Sequence, residues 1–267
     1  MPFHYPPLDA KPKKMPAPSV LPAPETLLAN VAIVLKEPKY PENIGAAARI
    51  AMNMGIPNIV LVRAEEPDRE KMLKLATHNG EEMIDRMTRY PSLVEALAPF
   101  SHVVGTSARQ GRKRRLENTP RDIVPSLVPL LKNNKVALLF GPEDRGLTND
   151  DLKFCQQTVT IPTADFSSLN LAQAVTVLCY ELFTGILQSN LPKARPAPKL
   201  ADSHELEGMY AHVEELLVRI GFLKTADTTY WMRNIRQFLG RVGLRSKEAR
   251  IIRGFCRQFL WHEKQDR

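Results

Sequence analysis

The chain has 267 residues, 43% of them hydrophobic, which is enough to bury a sizeable core in one main domain with an appendage. Its formal net charge of +8 favours an acidic partner such as nucleic acid. The three cysteines lie far apart and include no CxxC pair, which argues against a disulfide framework and for a reducing cytoplasm. The six histidines lack the spacing of metal ligands, so no metal site is predicted.

The amino-terminal segment, residues 1–26, is rich in proline and lysine. It has no apolar stretch of the kind that a signal peptide needs, and we interpret it as a flexible or extended tail. No run of about 18 apolar residues occurs anywhere, so the sequence predicts no membrane span.

Five short apolar runs are predicted to be strands: "NVAIVL" (30–35), "NIVLV" (58–62), "HVVGTSA" (102–108), "KVALLF" (135–140) and "QTVTIP" (157–162). Helical spacing appears between and after them, at residues 44–55, 69–76, 80–88 and 169–188. For the first helix, Asn43 is the predicted N-cap and Gly55 follows its end. Apolar strands that alternate with helices predict an α/β fold with a parallel sheet covered on both faces.

The loops after these strands are predicted to meet at one edge of the sheet. In parallel sheets a ligand lies beyond the carboxyl ends of the strands. The loops in question are residues 38–43, 106–115, 141–147 and 162–170. None of them is a P-loop, and no GxGxxG follows a strand, which disfavours a dinucleotide-dependent oxidoreductase.

The carboxy-terminal part of the chain follows a proline-rich linker. We divide the chain into a tail (1–26), a main domain (27–188), a linker (189–202) and a small helical extension (203–267). Three helices are predicted in that extension, at about 203–220, 228–242 and 247–263, with Asp227 and Ser246 as candidate N-caps.

Positive charge is concentrated near the end of the chain. Residues 221–267 contain 11 Lys and Arg against 4 Asp and Glu. Arg250, Arg253 and Arg257, at i, i+3 and i+7, form what we call the arginine stripe, which either contacts phosphates or is simply solvated. Trp231 and Trp261 are predicted to anchor the small core of the extension rather than to stack on bases.

Three segments together resemble the motifs of the SPOUT superfamily of S-adenosylmethionine-dependent RNA methyltransferases: "PENIGAAARIAMNMG" (41–55), "FGPEDRGL" (140–147) and "IPTADFSSLNLAQAV" (161–175). Their order and spacing, with "VVGTSAR" (103–109) between, are most similar to the TrmJ-type tRNA ribose 2′-O-methyltransferases. The resemblance covers residues 30–188 strongly, and the linker and helical extension more loosely.

The resemblance implies a sheet whose carboxy-terminal part is threaded into a trefoil knot, although knots are very rare. It also implies a homodimer whose catalytic pocket is completed across the interface. S-adenosylmethionine is expected to lie among the knotted loops, and we expect its binding residues to be Thr106, Ser107, Ala108, Gly141, Ile161, Ser168, Leu169 and Asn170.

Two short polar side chains, Ser168 and Asn170, have two compatible interpretations. They can cap the helix that starts near residue 171, and by resemblance they lie beside the donor and the reacting ribose. Glu143 is expected to hydrogen-bond Asn43 or Arg49, or else to be a plain surface carboxylate.

Arg49 is the principal catalytic candidate, with Asn43, Glu143, Ser168 and Asn170 beside it. The corresponding arginine of the family is proposed to be a general base. A guanidinium is essentially always protonated, so we expect Arg49 instead to hold a substrate phosphate and lower the pKa of the ribose hydroxyl. The alternative is a helix arginine paired with an acid.

The run "RQGRKRR" (109–115) is predicted to hold the RNA backbone, with Arg109 and Arg112 as the best candidates, or to be a solvated loop. The resemblance to the TrmJ type implies that the reaction is 2′-O-methylation of tRNA at nucleotide 32 of the anticodon loop. Two alternatives stay open: a ribose methyltransferase acting on rRNA or another tRNA site, and a catalytically idle RNA-binding or assembly factor.

Overall fold

The computed structural model describes residues 23–77, 80–107, 118–189, 198–224 and 227–265. Most of the predicted amino-terminal tail therefore lies outside the described residues. Its predicted boundary is wrong, because residues 24–28 already form a short helix, α1 (Pro24–Leu28). A proline in the first turn is compatible with a helix, and Leu27 and Leu28 pack into the main core.

The described residues contain six strands in one fully parallel sheet, as the alternation of strands and helices predicts. In chain order they are β1 (Val31–Lys36), β2 (Asn58–Val62), β3 (Thr88–Tyr90), β4 (His102–Thr106), β5 (Val136–Phe140) and β6 (Gln157–Val159), and their order across the sheet is β3-β2-β1-β5-β4-β6. The helices that follow α1 are α2 (Pro41–Asn53), α3 (Arg69–Ala76), α4 (Glu81–Arg86), α5 (Leu93–Leu97), α6 (Pro120–Leu130), α7 (Asn149–Leu152), α8 (Leu171–Gln188), α9 (Ser203–Arg219), α10 (Thr228–Val242) and α11 (Ser246–Gln265).

Both faces of the sheet are buried in its centre, which explains why the central strands are mostly apolar rather than alternating between apolar and polar residues. Successive residues of a strand point to opposite faces. In β1, Ile33 and Leu35 pack beneath helices that include α2 and α8, whereas Ala32 and Val34 pack against α5 and the segment around α7. The two apolar cores hold the carboxyl ends of the strands in a fixed register.

Besides α1, four described elements were not predicted from the sequence: β3, α5, α6 and α7. Strand β3 is short and mostly exposed, so it has no apolar signal. Helix α6 contains Pro125 and Pro129, which normally argue against a helix. It forms because Thr119 and Asp122 make a capping box and one face is buried in the core.

Helix α8 corrects the prediction that no segment is long and apolar enough to span a membrane. It meets that criterion by length and composition, with a mean hydropathy of 1.3 over 18 residues. Its buried residues pack in the core beside α2 and α6, and its Glu181 pairs with Arg121 of α6 at 2.8 Å.

The three carboxy-terminal helices form close to their predicted positions. Asp227 precedes α10 but makes no side-chain capping bond, and Ser246 is the first residue of α11 rather than its cap. Leu206, Met209 and Met232 belong to a small separate core beneath these helices. Trp231 and Trp261 do not, because their side chains are 46% and 50% exposed, so their predicted anchoring role is wrong.

The extension is attached at the amino-terminal edge of the sheet. Ser203 donates hydrogen bonds from its backbone N–H and its hydroxyl to the Phe100 carbonyl, just before β4. Asn134, just before β5, donates to the Pro198 carbonyl and accepts from the backbone N–H of Leu200. The predicted ligand edge is at the opposite end of the strands.

Candidate functional site

A cavity of about 280 Å³ lies at the carboxyl edge of the sheet. It is lined by the exits of β4, β5 and β6 and by the start of α8, as the loop positions predict. The predicted binding residues found in its lining are Thr106, Ser107, Gly141, Ile161, Ser168 and Leu169. Of the other two predicted binding residues, Ala108 lies outside the described residues, and Asn170 is not among the residues that line the cavity.

Further residues line the cavity that were not singled out from the sequence. The polar ones are Asp144, Arg145 and Ser167, and the apolar ones are Phe140, Pro142, Leu147, Val159, Leu171 and Ala174. All of them lie within or next to the three sequence motifs, so the positions of the motifs would have been enough to find them in the sequence. What the sequence does not show is which side chains of a motif point inwards.

The loop after β5 is folded tightly on itself. A Cβ atom added at Gly141 would lie 2.4 Å from the carbonyl carbon of Gly146, so a side chain does not fit there. Gly146 has φ of +64°, a left-handed conformation that favours glycine. At Gly141, a predicted binding residue, the close backbone approach is therefore to Gly146 and Leu147 of the same loop.

Glu143 joins this loop to the first turn of α2. Its Oε1 accepts a hydrogen bond from Asn43 Nδ2 at 2.5 Å, and its Oε2 accepts one from the backbone N–H of Lys39 at 2.8 Å. The predicted contact between Glu143 and Asn43 is therefore present. The predicted N-cap role of Asn43 is wrong, because Tyr40 occupies that position and Asn43 lies inside the helix, almost fully buried.

Asn170 connects the third motif to the same asparagine. Its Nδ2 donates to Asn43 Oδ1 at 3.0 Å, while its Oδ1 accepts from the backbone N–H of Ala172 at 2.8 Å and caps α8. The capping interpretation of Asn170 is thus confirmed, and the cap also fixes the direction of its amide. Asn43, Glu143 and Asn170 form a chain of hydrogen bonds that we call the motif network.

A second pair of contacts holds the end of β1 and the residue that follows it against the segment between β5 and the end of α7. Arg145 pairs with Glu37 at 2.5 Å, and Lys36 pairs with the largely buried Asp151 at 3.2 Å. Glu37 has φ of +46°, an unusual conformation for a residue other than glycine. Arg145 lines the cavity, and its positive charge is balanced by Glu37, which is not one of the lining residues.

Arg49 is not among the residues that line the cavity. It is exposed on α2, and no hydrogen bond or ion pair joins it to another residue in the described part of the chain. It lies six residues beyond Asn43, about 9 Å further along the helix axis. Within the described residues, the chain therefore neither brings the principal catalytic candidate to its own cavity nor pairs that arginine with an acid.

The predicted RNA-binding residues are placed only in part. Arg109 and Arg112 lie outside the described residues. Arg250 and Arg257 are exposed on α11, whereas Arg253 is half-buried with its guanidinium carbon 3.3 Å from the position of a Cβ at Gly208 of α9. Two members of the arginine stripe are thus presented to solvent, and the third packs partly on its neighbouring helix.

The remaining titratable candidates are buried rather than clustered. Burial raises the pKa of the Cys155 thiol, and it raises the pKa of Cys179 to about 12, as expected for packing residues. Burial also lowers the pKa of His102, although its Nε2 lies 3.1 Å from Gln157 Oε1. Within the described ranges no group of three His, Cys, Asp or Glu side chains could hold a metal ion.

Comparison with known proteins agrees with the motif assignment. Residues 30–180 match the SpoU rRNA Methylase family, and residues 204–267 match the C-terminal domain of tRNA methyltransferase TrmJ. The tRNA (cytidine/uridine/adenosine-2′-O-)-methyltransferase TrmJ of Pseudomonas aeruginosa is 36% identical over 239 residues, 85% of this chain and 93% of the relative. The tRNA (cytidine/uridine-2′-O-)-methyltransferase TrmJ of Yersinia pestis is 36% identical over 250 residues, 90% of this chain and 94% of the relative.

Solved structures show the same similarity. The crystal structure of TrmJ from Z. mobilis ZM4 matches with a TM-score of 0.72 and 30% identity, over 85% of this chain and 97% of that one. A putative methylase family protein from Neisseria gonorrhoeae matches with a TM-score of 0.63 and 32% identity, over 72% of this chain and 98% of that one.

Proposed function

The chain belongs to the SpoU rRNA methylase family and is of the TrmJ type, and we propose that it is a tRNA methyltransferase that transfers the methyl group of S-adenosylmethionine to a ribose 2′-oxygen. We further propose nucleotide 32 of the anticodon loop as the target. The observation that carries this proposal is the motif network, which brings three distant motifs together beside one cavity.

The cavity has features that suit an adenosyl group. At about 280 Å³ it is close to the smaller end of the range for ligand pockets. Ile161, Leu169 and Leu147 provide apolar surface for the adenine, and Thr106 and Ser107 lie at the exit of β4 on the other wall. Gly141 and Gly146 also line the cavity, where the backbone of their loop would supply hydrogen bonds to the adenosyl group.

Methyl transfer requires alignment more than acid–base strength. The ribose oxygen loses its proton and forms a bond to the methyl carbon, while the carbon–sulfur bond breaks and its electron pair stays on sulfur. The sulfonium group is an intrinsically reactive donor, so in-line positioning supplies much of the rate. In this proposal Ser168, which lines the cavity, and Asn170 beside it would position the donor and the ribose, and Asn43 and Glu143 would fix Asn170.

Arg49 is proposed to act at the cavity of a second copy of the chain. It is exposed on α2, it is not among the residues that line the cavity of its own chain, and it has no acidic partner in the described residues. A guanidinium stays protonated, so its role is to hold a substrate phosphate and stabilise the developing oxyanion, with a phosphate oxygen or water accepting the proton. This assignment requires the homodimer that the family resemblance implies.

The remaining parts of the proposal concern the chain as a whole. Residues 27–188 would form the knotted methyltransferase domain, and residues 203–267 a basic extension joined through the linker. The arginine stripe, Arg109 and Arg112 would contact the tRNA backbone. We propose a cytoplasmic enzyme that needs no metal and binds no membrane.

The decisive experiment is transfer of labelled methyl groups to unmodified tRNA, with the product nucleotide mapped by digestion and mass spectrometry. A 2′-O-methyl group at position 32 supports the whole proposal, whereas label confined to rRNA or another tRNA position moves the target. Absence of both transfer and donor binding favours an idle RNA-binding scaffold.

Arg49 has its own test within the same assay. Arg49→Ala should lose transfer while keeping donor binding, because Arg49 does not line the cavity. Mixing it with a second inactive variant, Asn170→Ala, should restore part of the activity, since a mixed dimer would contain one site with both residues intact. Unimpaired turnover by Arg49→Ala would remove it from the mechanism.

A further inference from the structure

A large aromatic side chain is exposed at the carboxyl edge of the sheet, next to the cavity but outside it. Tyr40 follows β1, is 50% exposed and is not among the residues that line the cavity. It precedes α2 at the N-cap position without a capping bond, and its hydroxyl makes no hydrogen bond in the described part of the chain. Neither the core nor the helix start therefore explains an aromatic residue here.

The segment that carries Tyr40 is held in place on both sides. The backbone N–H of Lys39 donates to Glu143 Oε2 at 2.8 Å, Pro38 is buried, and Pro41 begins α2 with a fixed φ. Because Glu143 lines the cavity, the Cα of Tyr40 lies no more than about 8 Å from a carboxylate of the cavity wall. A ring on a fixed backbone loses little conformational entropy when it binds a partner.

Three cations at or just after the ends of β1, β2 and β3 have no acidic partner in the described part of the chain. Lys39 Nζ lies 5.7 Å from the centre of the Tyr40 ring. Arg63 and Arg89 donate only to backbone carbonyls, which leaves most of their N–H groups available. We call these four residues the edge patch: Lys39, Tyr40, Arg63 and Arg89.

The acids near the edge patch do not neutralise it. Glu37 is paired with Arg145, and no ion pair joins the exposed Glu65 or Glu66 to a cation in the residues that the structure describes. Surfaces that bind single-stranded nucleic acid combine an aromatic face, which stacks on a base, with cations that hold the phosphates. The edge patch has both, beside the cavity.

We propose that a base next to the target nucleotide stacks on the ring of Tyr40, while Lys39 and Arg63 hold the adjoining phosphates. This inference rests on the proposed function and deepens it, because it assigns the substrate contacts outside the cavity. A nucleotide that is turned towards an active site leaves the stack of its neighbours. A fixed aromatic ring replaces the stacking partner that the neighbouring base loses, as aromatic side chains do for single-stranded RNA loops.

Two substitutions of Tyr40 separate stacking from other effects. Tyr40→Leu removes the ring and keeps an apolar side chain, whereas Tyr40→Phe keeps the ring. In fluorescence anisotropy with a labelled, unmodified tRNA, Tyr40→Leu should weaken binding at least about 5-fold, the lower end for a lost base–aromatic stack, and Tyr40→Phe less than about 2-fold. Equal losses from the two would overturn the proposal.

The chain offers a matched control on the extension. Tyr230 of α10 is 56% exposed, and the guanidinium carbon of Arg233 lies 5.8 Å from its ring centre, so its surroundings resemble those of Tyr40. Tyr230→Leu should change tRNA binding less than about 2-fold, because the contact depends on the place of the ring beside the cavity. A loss as large as that of Tyr40→Leu would overturn the proposal.

An RNA stem-loop that lacks one base tests the contact directly. The probe is a stem-loop with an abasic residue on the 5′ or the 3′ side of the nucleotide that the enzyme methylates. One of the two should bind the unchanged protein as weakly as the intact stem-loop binds Tyr40→Leu, and that substitution should weaken its binding no further. Additive losses with both stem-loops would refute the stack.

The phosphate contacts have a separate signature in the dependence on salt. Arg63→Gln should reduce the slope of log affinity against log salt by about 0.7, the value for one phosphate of a single strand, whereas Tyr40→Leu should leave that slope unchanged. An unchanged slope for Arg63→Gln would remove Arg63 from the contact.

Failure of this inference can be distinguished from failure of the proposed function. An unchanged protein that binds tRNA without transferring a methyl group would refute the proposed function, and the affinities of the Tyr40 variants would still decide the inference. Full tRNA affinity of Tyr40→Leu, in a protein that does transfer methyl groups, would refute the inference alone. Dissociation of Tyr40→Leu into single chains, seen by sedimentation, would assign the ring to a contact between copies and refute it too.

Discussion

Substituting Asn43 with alanine tests whether the motif network holds the cavity together. Asn43 is 7% exposed, donates to Glu143 and accepts from Asn170, so the variant loses two hydrogen bonds at once. At about 0.5–1.5 kcal/mol each, their removal costs about 1–3 kcal/mol. Asn170 is exposed and water can replace part of what it loses, so we expect about 1–2 kcal/mol.

Asn43→Ala should also make the free energy of donor binding less favourable by a similar amount. The motif network fixes the loop after β5 and the start of α8, and both line the cavity. If the site must be re-formed when the donor binds, a cost of about 1–2 kcal/mol corresponds to an affinity about 5- to 30-fold lower. Isothermal titration with S-adenosylmethionine measures this affinity, and urea unfolding measures the decrease in stability.

A matched control is available at the other edge of the sheet. Asn134 is 2% exposed and makes three side-chain hydrogen bonds, to Leu130, Pro198 and Leu200. Asn134→Ala should destabilise the fold at least as much without lowering donor affinity. Equal effects of the two substitutions on donor binding, or none from Asn43→Ala, would refute the role assigned to the network.

Three further predictions concern stability and RNA binding. Because burial lowers the pKa of His102, stability should be fully present above pH 6.5 and fall below it, by up to about 1.4 kcal/mol per pH unit, and His102→Gln should remove that dependence in urea unfolding. Gly45→Ala would place a Cβ 1.8 Å from the Met72 carbonyl oxygen and should cost about 1–3 kcal/mol or more, whereas Gly254→Ala, with open space around it, should stabilise α11 by about 0.5–1 kcal/mol in the same assay. Changing the arginine stripe to glutamine should weaken tRNA binding and reduce its salt slope by about 0.7–0.9 for each phosphate that the protein no longer neutralises.

Each of these has an outcome that would contradict it. A pH profile for His102→Gln that matches the unchanged protein would mean that other groups set the acid limit. Gly45→Ala as stable as Gly254→Ala would mean that α2 and α3 pack less closely than described. An unchanged salt slope would mean that the arginine stripe is only solvated.

The parallel sheet could be predicted because its central strands are buried on both faces and so are continuous apolar runs. Strand β3 could not, since an exposed three-residue edge strand leaves no such run. Helix α6 was hidden by its prolines, although the capping box of Thr119 and Asp122 was readable in the sequence. Local sequence signals therefore identified the central elements. They failed for elements whose formation depends on packing against the rest of the fold.

The site shows the same division between local and long-range information. Motif positions predicted which loops surround the cavity, but Asn43 and Asn170 are 127 positions apart and Glu37 and Arg145 are 108 apart. Periodicity and capping rules act over a few residues and contain nothing about such pairs. The contact of Glu143 with Asn43 was expected only through resemblance, and the pair of Glu37 with Arg145 was missed.

The wrong prediction for Trp231 has a different physical cause. Helical spacing shows how wide an apolar arc is, but not how many neighbours cover it. On α10 the arc extends from Met232, which is buried against α9, round to Trp231 and Phe238, which no described residue of the same chain buries. The periodicity of α10 therefore could not distinguish a buried anchor such as Met232 from an exposed side chain such as Trp231, because that difference depends on where the neighbouring helix lies.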